Sequence, residues 1–121
     1  MTSYKDSVSL SSRVDESNRV LAKYPEHIPI IIECNEELSK IIKKKKYLIH
    51  RDCDFSFLLK IIREKISVDN RKAFFMFYDN VMICPSNNSG DLYEKYKIKN
   101  KLRPSDDRFF YITISMENTF G

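Results

Sequence analysis

Apolar residues along the chain switch between two spacings, and the switches mark the elements. Residues Tyr4 to Lys23 are mostly polar, with scattered apolar positions at Val8, Leu10, Val14, Val20 and Leu21. This pattern predicts one or two short helices, with Ser11 or Ser12 as a helix cap and Pro25 as the stop. Ile28 to Cys34 reads IPIIIEC, and its consecutive β-branched residues predict a strand with Pro29 near its start. A second strand is expected over Lys46 to Ile49, directly after the lysine run Lys43 to Lys46. Charge of that kind suits a sheet edge, where it discourages unwanted pairing.

Asp54 is placed to cap a helix that carries Phe55, Leu58, Leu59, Ile62 and Ile66 on one face. Adding Phe57 and Ile61 widens the apolar arc to about 200° at 100° per residue. A helix lying on a sheet needs only about 100°. Phe57, Leu58 and Ile61 are therefore expected to flank the core, leaving apolar surface beside Lys65 as a partner groove. Ala73 to Tyr78 (AFFMFY) is an aromatic strand, followed by the turn signal Asp79-Asn80. Pro85 to Gly90 reads as a polar loop, Asp91 to Tyr96 as a short helix and Lys97 to Arg108 as a charged loop. Phe109 to Ser115 is a last strand, and Met116 to Gly121 an extended tail without periodicity. The order of helices, two strands, crossover helix and two later strands predicts an α+β fold. It matches a four-stranded β-grasp sheet with an N-terminal helical extension. The corresponding segments are 1–26 (helical), 27–116 (β-grasp) and 117–121 (flexible tail).

Composition narrows the function. The 121 residues favour one domain, and the 42% hydrophobic content is enough for one modest core. The net charge of +4 is too mild to indicate nucleic-acid binding, and only Tyr47 lies near the lysine run to stack on a base. With two glycines, the chain has no Gly-rich phosphate loop. The three cysteines are widely spaced without a CxxC, which favours free thiols over a disulfide framework or zinc ribbon. His50-x-x-Cys53 supplies half of a zinc site at most, and no second pair matches it. No metal, cofactor or catalysis by the chain itself is expected. No segment is apolar and long enough for a signal peptide or a membrane span, so a membrane role would need surface contact or covalent lipid.

Seven stretches in order carry a family resemblance. Lys23-Tyr24-Pro25-Glu26-His27-Ile28-Pro29-Ile30-Ile31 and Lys44-Lys45-Lys46-Tyr47-Leu48-Ile49 resemble the KYP and KKKYLV segments of the autophagy ubiquitin-like modifier family. Ile62-Arg63-Glu64-Lys65-Ile66, Ala73-Phe74-Phe75-Met76-Phe77 and Leu92-Tyr93-Glu94-Lys95-Tyr96 are similar to its later helix and strand segments. Phe110-Tyr111-Ile112 and Glu117-Asn118-Thr119-Phe120-Gly121 resemble its closing strand and ENTFG tail. The match runs from about Arg13 to Gly121. His50 replaces the usual proline, Asp52 to Leu58 departs from the family pattern, and the loop from Lys97 is long, so the chain resembles a divergent, GABARAP-type member.

The resemblance implies conjugation of Gly121 to phosphatidylethanolamine by activating and conjugating enzymes, with a deconjugating cysteine protease as a further partner. A terminal glycine suits adenylate and thioester chemistry, since no Cβ hinders attack on its carbonyl. The chain ending at Gly121 is expected to be either encoded ready for activation or already processed. The resemblance also implies receptors that bind by strand addition through an aromatic-x-x-aliphatic motif. Glu16, Val20, Pro29, Ile31, Leu48 and Phe109 would line the aromatic pocket. Ile49, Leu58, Ile61, Ile62 and Lys65 would line the aliphatic one, with Tyr47 on the docking strand. Lys44 and Lys46 would attract flanking acids. The expected location is cytoplasmic, and autophagosomal once lipidated. Ile31 and Ile62 read equally well as plain core. Two alternatives stand beside this reading. One is a sister modifier attached to a protein lysine; the other is an unconjugated basic binding module acting through Lys43 to Lys46.

Overall fold

The computed structural model describes residues 3–66 and 72–118. Two N-terminal helices, α1 (Tyr4–Ser7) and α2 (Leu10–Lys23), precede strand β1 (His27–Glu33). A single turn α3 (Glu36–Ser39) leads to β2 (Lys46–His50) and helix α4 (Phe55–Glu64). The hairpin β3 (Lys72–Tyr78) and β4 (Val81–Ile83), helix α5 (Ser89–Lys99) and strand β5 (Phe110–Asn118) complete the chain. The sheet order is β2-β1-β5-β3-β4, with β1 and β5 parallel and the other pairs antiparallel. This is an α+β, ubiquitin-like β-grasp fold.

Several local expectations change. The sheet has five strands where four were predicted. Asp79 and Asn80 both take positive φ (47° and 64°) and join Tyr78 to Val81 as a two-residue hairpin. That geometry matches the twist of paired strands and adds β4, too short to show a hydrophobic period. Ser9, not Ser11 or Ser12, caps α2 by accepting a hydrogen bond from the Ser12 N–H. Helix α5 starts at Ser89 under an Asn88 cap and runs on to Lys99, taking in the start of the expected charged loop. Strand β5 continues past Ser115 to Asn118, because β3 pairs with it as far as Lys72↔Asn118.

The core sits between one sheet face and α4. Ile28, Ile30 and Ile32 of β1, Tyr47 and Ile49 of β2 and Phe110, Ile112 and Ile114 of β5 meet Phe55, Leu58 and Ile62. Asp54 caps α4 as predicted. Phe110, with no exposure, is ringed by Phe55, Tyr78, Tyr93 and Tyr96 at centroid distances of 4.6–6.2 Å. Side chains alternate along a strand, so the intervening residues of β1 and β5 face the other way. There Ile31, Phe109 and Tyr111 form a second cluster with Tyr4. Burial on both faces explains why β1 reads as an unbroken apolar run.

A polar clamp holds α2 on this second face. Arg13 donates to the Asp107 carboxylate at 2.8 Å, and the two side chains are 12% and 8% exposed. Asp107 also accepts from the Tyr111 hydroxyl and the Phe109 N–H. Ser17, fully buried, accepts from the Arg108 N–H and donates to the Val14 carbonyl. Asn18 donates to the Pro104 carbonyl. The segment after α5, a loop of unassigned role in the sequence, is thus the platform on which α2 rests.

Candidate functional site

The predicted docking strand lies where its lysines suggested. β2 is outermost in the sheet, paired on one side to β1 through Pro29↔Leu48 and Ile31↔Lys46. Among the described strands none covers its other side, so a row of backbone N–H and C=O groups is free to pair. Its side chains alternate strictly: Lys46 and Leu48 are exposed, Tyr47 and Ile49 buried.

On the α2 side of the edge, Leu48 is 38% exposed above buried Pro29. Glu16 and Val20, one helical turn apart on α2, are half-buried at the rim. Ile31 and Phe109 are 0% and 3% exposed, so they form the floor rather than the lining. Lys46 reaches across to Glu16 at 2.7 Å, and Glu16 also accepts from the Tyr4 hydroxyl at 2.7 Å. Burial pushes the Glu16 carboxyl up, but its hydrogen bonds to Lys46 and Tyr4 outweigh this and hold it below the usual carboxylate value. Burial likewise favours a neutral Lys46, and its hydrogen bonds to Glu16 and Tyr4 outweigh this and raise its affinity for the proton. The Tyr4 ring packs edge-on against Phe109 at 5.9 Å and lies 4.9 Å from the Lys46 Nζ. Tyr4 is a member of this site that sequence reasoning missed. It lies far from Glu16 in the chain, and no local pattern links the two.

On the α4 side the expected groove is narrower than predicted. Ile49, Leu58 and Ile62 are at most 2% exposed and belong to the core. Leu58 does not flank the core as expected, since it lies on the helix stripe that faces the sheet. The accessible stripe is Phe57, Ile61 and Lys65, spaced four apart and therefore on one helix face. Phe57 is 45% exposed and Ile61 half-buried. The Lys65 and Lys44 ammonium groups both approach the Tyr47 ring, at 5.8 and 5.2 Å, which places this stripe beside β2. The Lys44 charge disfavours protonation of Lys65 and lowers its pKa. These lysines, with Lys43, Ile41, Ile42 and Ile66, line a cleft of about 300 Å³ at the start of β2. Gly121, the predicted conjugation residue, lies outside the described residues.

An open sheet edge flanked by apolar positions on both faces, on a β-grasp body with two N-terminal helices, is a specific combination. A family model described as "Autophagy protein Atg8 ubiquitin like" matches residues 12–121. The chain belongs to the Atg8 family. It is 37% identical over 119 residues to autophagy-related protein 8 of Schizosaccharomyces pombe, covering 98% of this chain and 93% of that protein. It is 35% identical over 121 residues to autophagy-related protein 8h of Arabidopsis thaliana, covering 98% and 95%. Among solved structures, Trypanosoma brucei ATG8 superposes with a TM-score of 0.78 at 27% identity, covering 100% of this chain and 99% of that one. This Atg8-family chain is thus a ubiquitin-like protein of autophagy. Among its described residues, no helix is long and apolar enough to cross a membrane and no cluster of three or more metal-ligating side chains forms.

Proposed function

We propose that this Atg8-family protein is a modifier conjugated through Gly121 to phosphatidylethanolamine, and that it recruits receptors by adding their peptides to β2. The observation that carries the docking half is the open β2 edge, with Leu48 exposed on one face and Phe57, Ile61 and Lys65 beside the other. In an extended peptide, residues three apart point to opposite sides. An aromatic-x-x-aliphatic motif paired to β2 would therefore send one side chain toward Leu48, Val20 and Pro29, and the other toward Ile61 and Phe57. Backbone pairing supplies the affinity and the two apolar sites the selectivity. Lys44 and Lys46 would add salt-sensitive attraction for flanking acids.

In this reading residues 1–26 are a helical subdomain, 27–116 the ubiquitin-like body and 117–121 the conjugation tail. The partners are activating and conjugating enzymes, a deconjugating protease, motif-bearing receptors and a phosphatidylethanolamine membrane. The protein would be cytoplasmic until lipidated and autophagosomal afterwards, and would catalyse nothing itself. The tail sequence Glu117 to Gly121 supports the conjugation half.

The test is reconstitution with the cognate enzymes, ATP and phosphatidylethanolamine liposomes, read by intact mass. A phospholipid adduct is expected on the wild type and none on Gly121→Ala, with both proteins equally folded. A lipidated alanine variant, or a phospholipase-resistant adduct to one protein, would overturn the lipid reading.

A further inference from the structure

We propose that Cys34 and Lys45 are a redox-sensitive pair that peroxide joins through a reversible sulfur–nitrogen bond. Cys34 follows β1 and Lys45 precedes β2, and the Ile32 N–H donates to the Lys45 carbonyl at 2.7 Å. The strand ends are thus fixed to one another by the backbone. Across this junction the Lys45 Nζ lies 3.4 Å from the Cys34 Sγ. The ammonium also donates to the Ile42 carbonyl, which holds it in place. Two independently anchored ends therefore bring an amine against a thiol, at a separation that a small side-chain rotation closes to a bond.

The sulfur is also reachable. Cys34 and Lys45 line a cavity of about 300 Å³ with Ser3, Tyr4, Ser7 and Ser39, large enough to admit a peroxide molecule. Cys34 is half-buried, and the exposed thiol of Cys84 makes a useful contrast. The sulfur of Cys84 lies 3.1 Å from the Ser86 hydroxyl. Hydrogen bonds from Ser86 hold this thiol below its usual pKa, which favours the thiolate form. A hydroxyl cannot condense with an oxidised sulfur as an amine can.

The chemistry needs one equivalent of hydrogen peroxide. The Cys34 thiolate attacks peroxide, an S–O bond forms, the O–O bond breaks and hydroxide leaves with a proton as water. The sulfur, oxidised by two electrons, is now a sulfenic acid, the species known to condense with nearby nitrogen. The Lys45 nitrogen, as free amine, attacks that sulfur. The S–O bond breaks, and the leaving hydroxide takes a nitrogen proton as a second water. Thiol plus amine plus one peroxide thus gives one S–N bond and two waters. A dithiol reductant reverses it by attack on sulfur with the amine as leaving group. The link closes the α3 loop into a ring and removes one positive charge from the lysine run beside β2.

The reduced full-length chain treated with excess hydrogen peroxide, so that any sulfenic acid not captured by the amine is oxidised further, then digested and analysed by mass spectrometry, tests this. The expected product is the Cys34 and Lys45 peptides joined, lighter than their sum by two hydrogens and released by dithiothreitol. Cys34→Ser removes the product. Lys45→Arg, which keeps charge and length, also removes it, and Cys34 then accumulates as sulfinic acid. Circular dichroism checks that both variants keep the fold. Wild-type Cys34 passing to sulfinic acid with Lys45 unmodified would overturn the proposal. So would identical products in wild type and Lys45→Arg, or a link from Cys34 to another lysine.

Discussion

Asp107→Ala is the perturbation that asks most of the clamp between α2 and the platform beneath it. The carboxylate receives the Arg13 guanidinium at 2.8 Å, the Tyr111 hydroxyl and the Phe109 N–H. Removing it leaves a guanidinium only 12% exposed without its counter-charge, and a backbone donor without its acceptor. Breaking a buried pair from one side costs about 3–5 kcal/mol. A neighbouring cleft lined by Lys5, Leu10, Arg13 and Asn100 lets water approach, so the lower end applies, about 3 kcal/mol. That is a large share of the roughly 5–15 kcal/mol that holds a domain together. With a urea slope of about 1–3 kcal/mol per molar, the midpoint should fall by roughly 1–3 M. Arg13→Met retains much of the apolar stem, and combining it with Asp107→Ala should recover about 1–3 kcal/mol as coupling. Because α2 carries Glu16 and Val20, its amides should also lose hydrogen-exchange protection in Asp107→Ala before those of β1 do. An Asp107→Ala protein within about 0.5 kcal/mol of wild type, or a cycle with no coupling, would refute the reasoning.

Three further outcomes are expected. Leu48→Asp should weaken binding of an acidic-flanked aromatic-x-x-aliphatic peptide by about tenfold or more in isothermal titration. Stability should stay within about 0.5 kcal/mol, since Leu48 is already 38% exposed; unchanged affinity would remove β2 from the docking surface. Gly90→Ala should destabilise the fold by about 1–3 kcal/mol in urea titration, because its Cβ would sit 2.7 Å from the Arg51 carbonyl oxygen and 2.9 Å from the Arg51 Cβ; a neutral effect would mean that this junction relaxes freely. Finally, burial raises the pKa of Tyr93, Tyr96 and Tyr111 from 10.0, Tyr96 to about 12. Groups raised on folding favour the native state fully below their unfolded pKa, so the urea midpoint should hold to about pH 10 and fall above it. A midpoint flat to pH 12 would contradict the burial of these hydroxyls.

Much of the fold was legible because its signals are local. The β-branched run of β1, the Asp54 cap and the Asp79-Asn80 turn each arise from steric and hydrogen-bonding preferences within a few residues. The lysines before β2 marked a sheet edge for a similarly local reason, the repulsion that keeps another edge away. The resemblance agreed with the order of elements that the residue pattern already gave, and added the expectation of two pockets on either side of that edge. Strand β4 escaped notice because Val81 to Ile83 is too short to carry a period, and its pairing depends on the twist of the preceding hairpin.

Burial was less legible, since it depends on which neighbours cover a face. A helical wheel gives Leu58 and Ile61 similar apolar character, yet packing on the sheet makes Leu58 core and leaves Ile61 at the rim. Ile31 and Ile62 likewise read equally as lining or core until Phe109, Tyr111 and the central strands closed over them. The long-range contacts are further still from the sequence: Tyr4 with Glu16, Arg13 with Asp107 and Lys45 with Cys34. Chain composition and spacing specify elements through short-range sterics, but they carry no metric for distances across the fold. Those distances are set when the sheet, α2 and α4 pack against one another, and with them the open edge and the pairings that this chain presents.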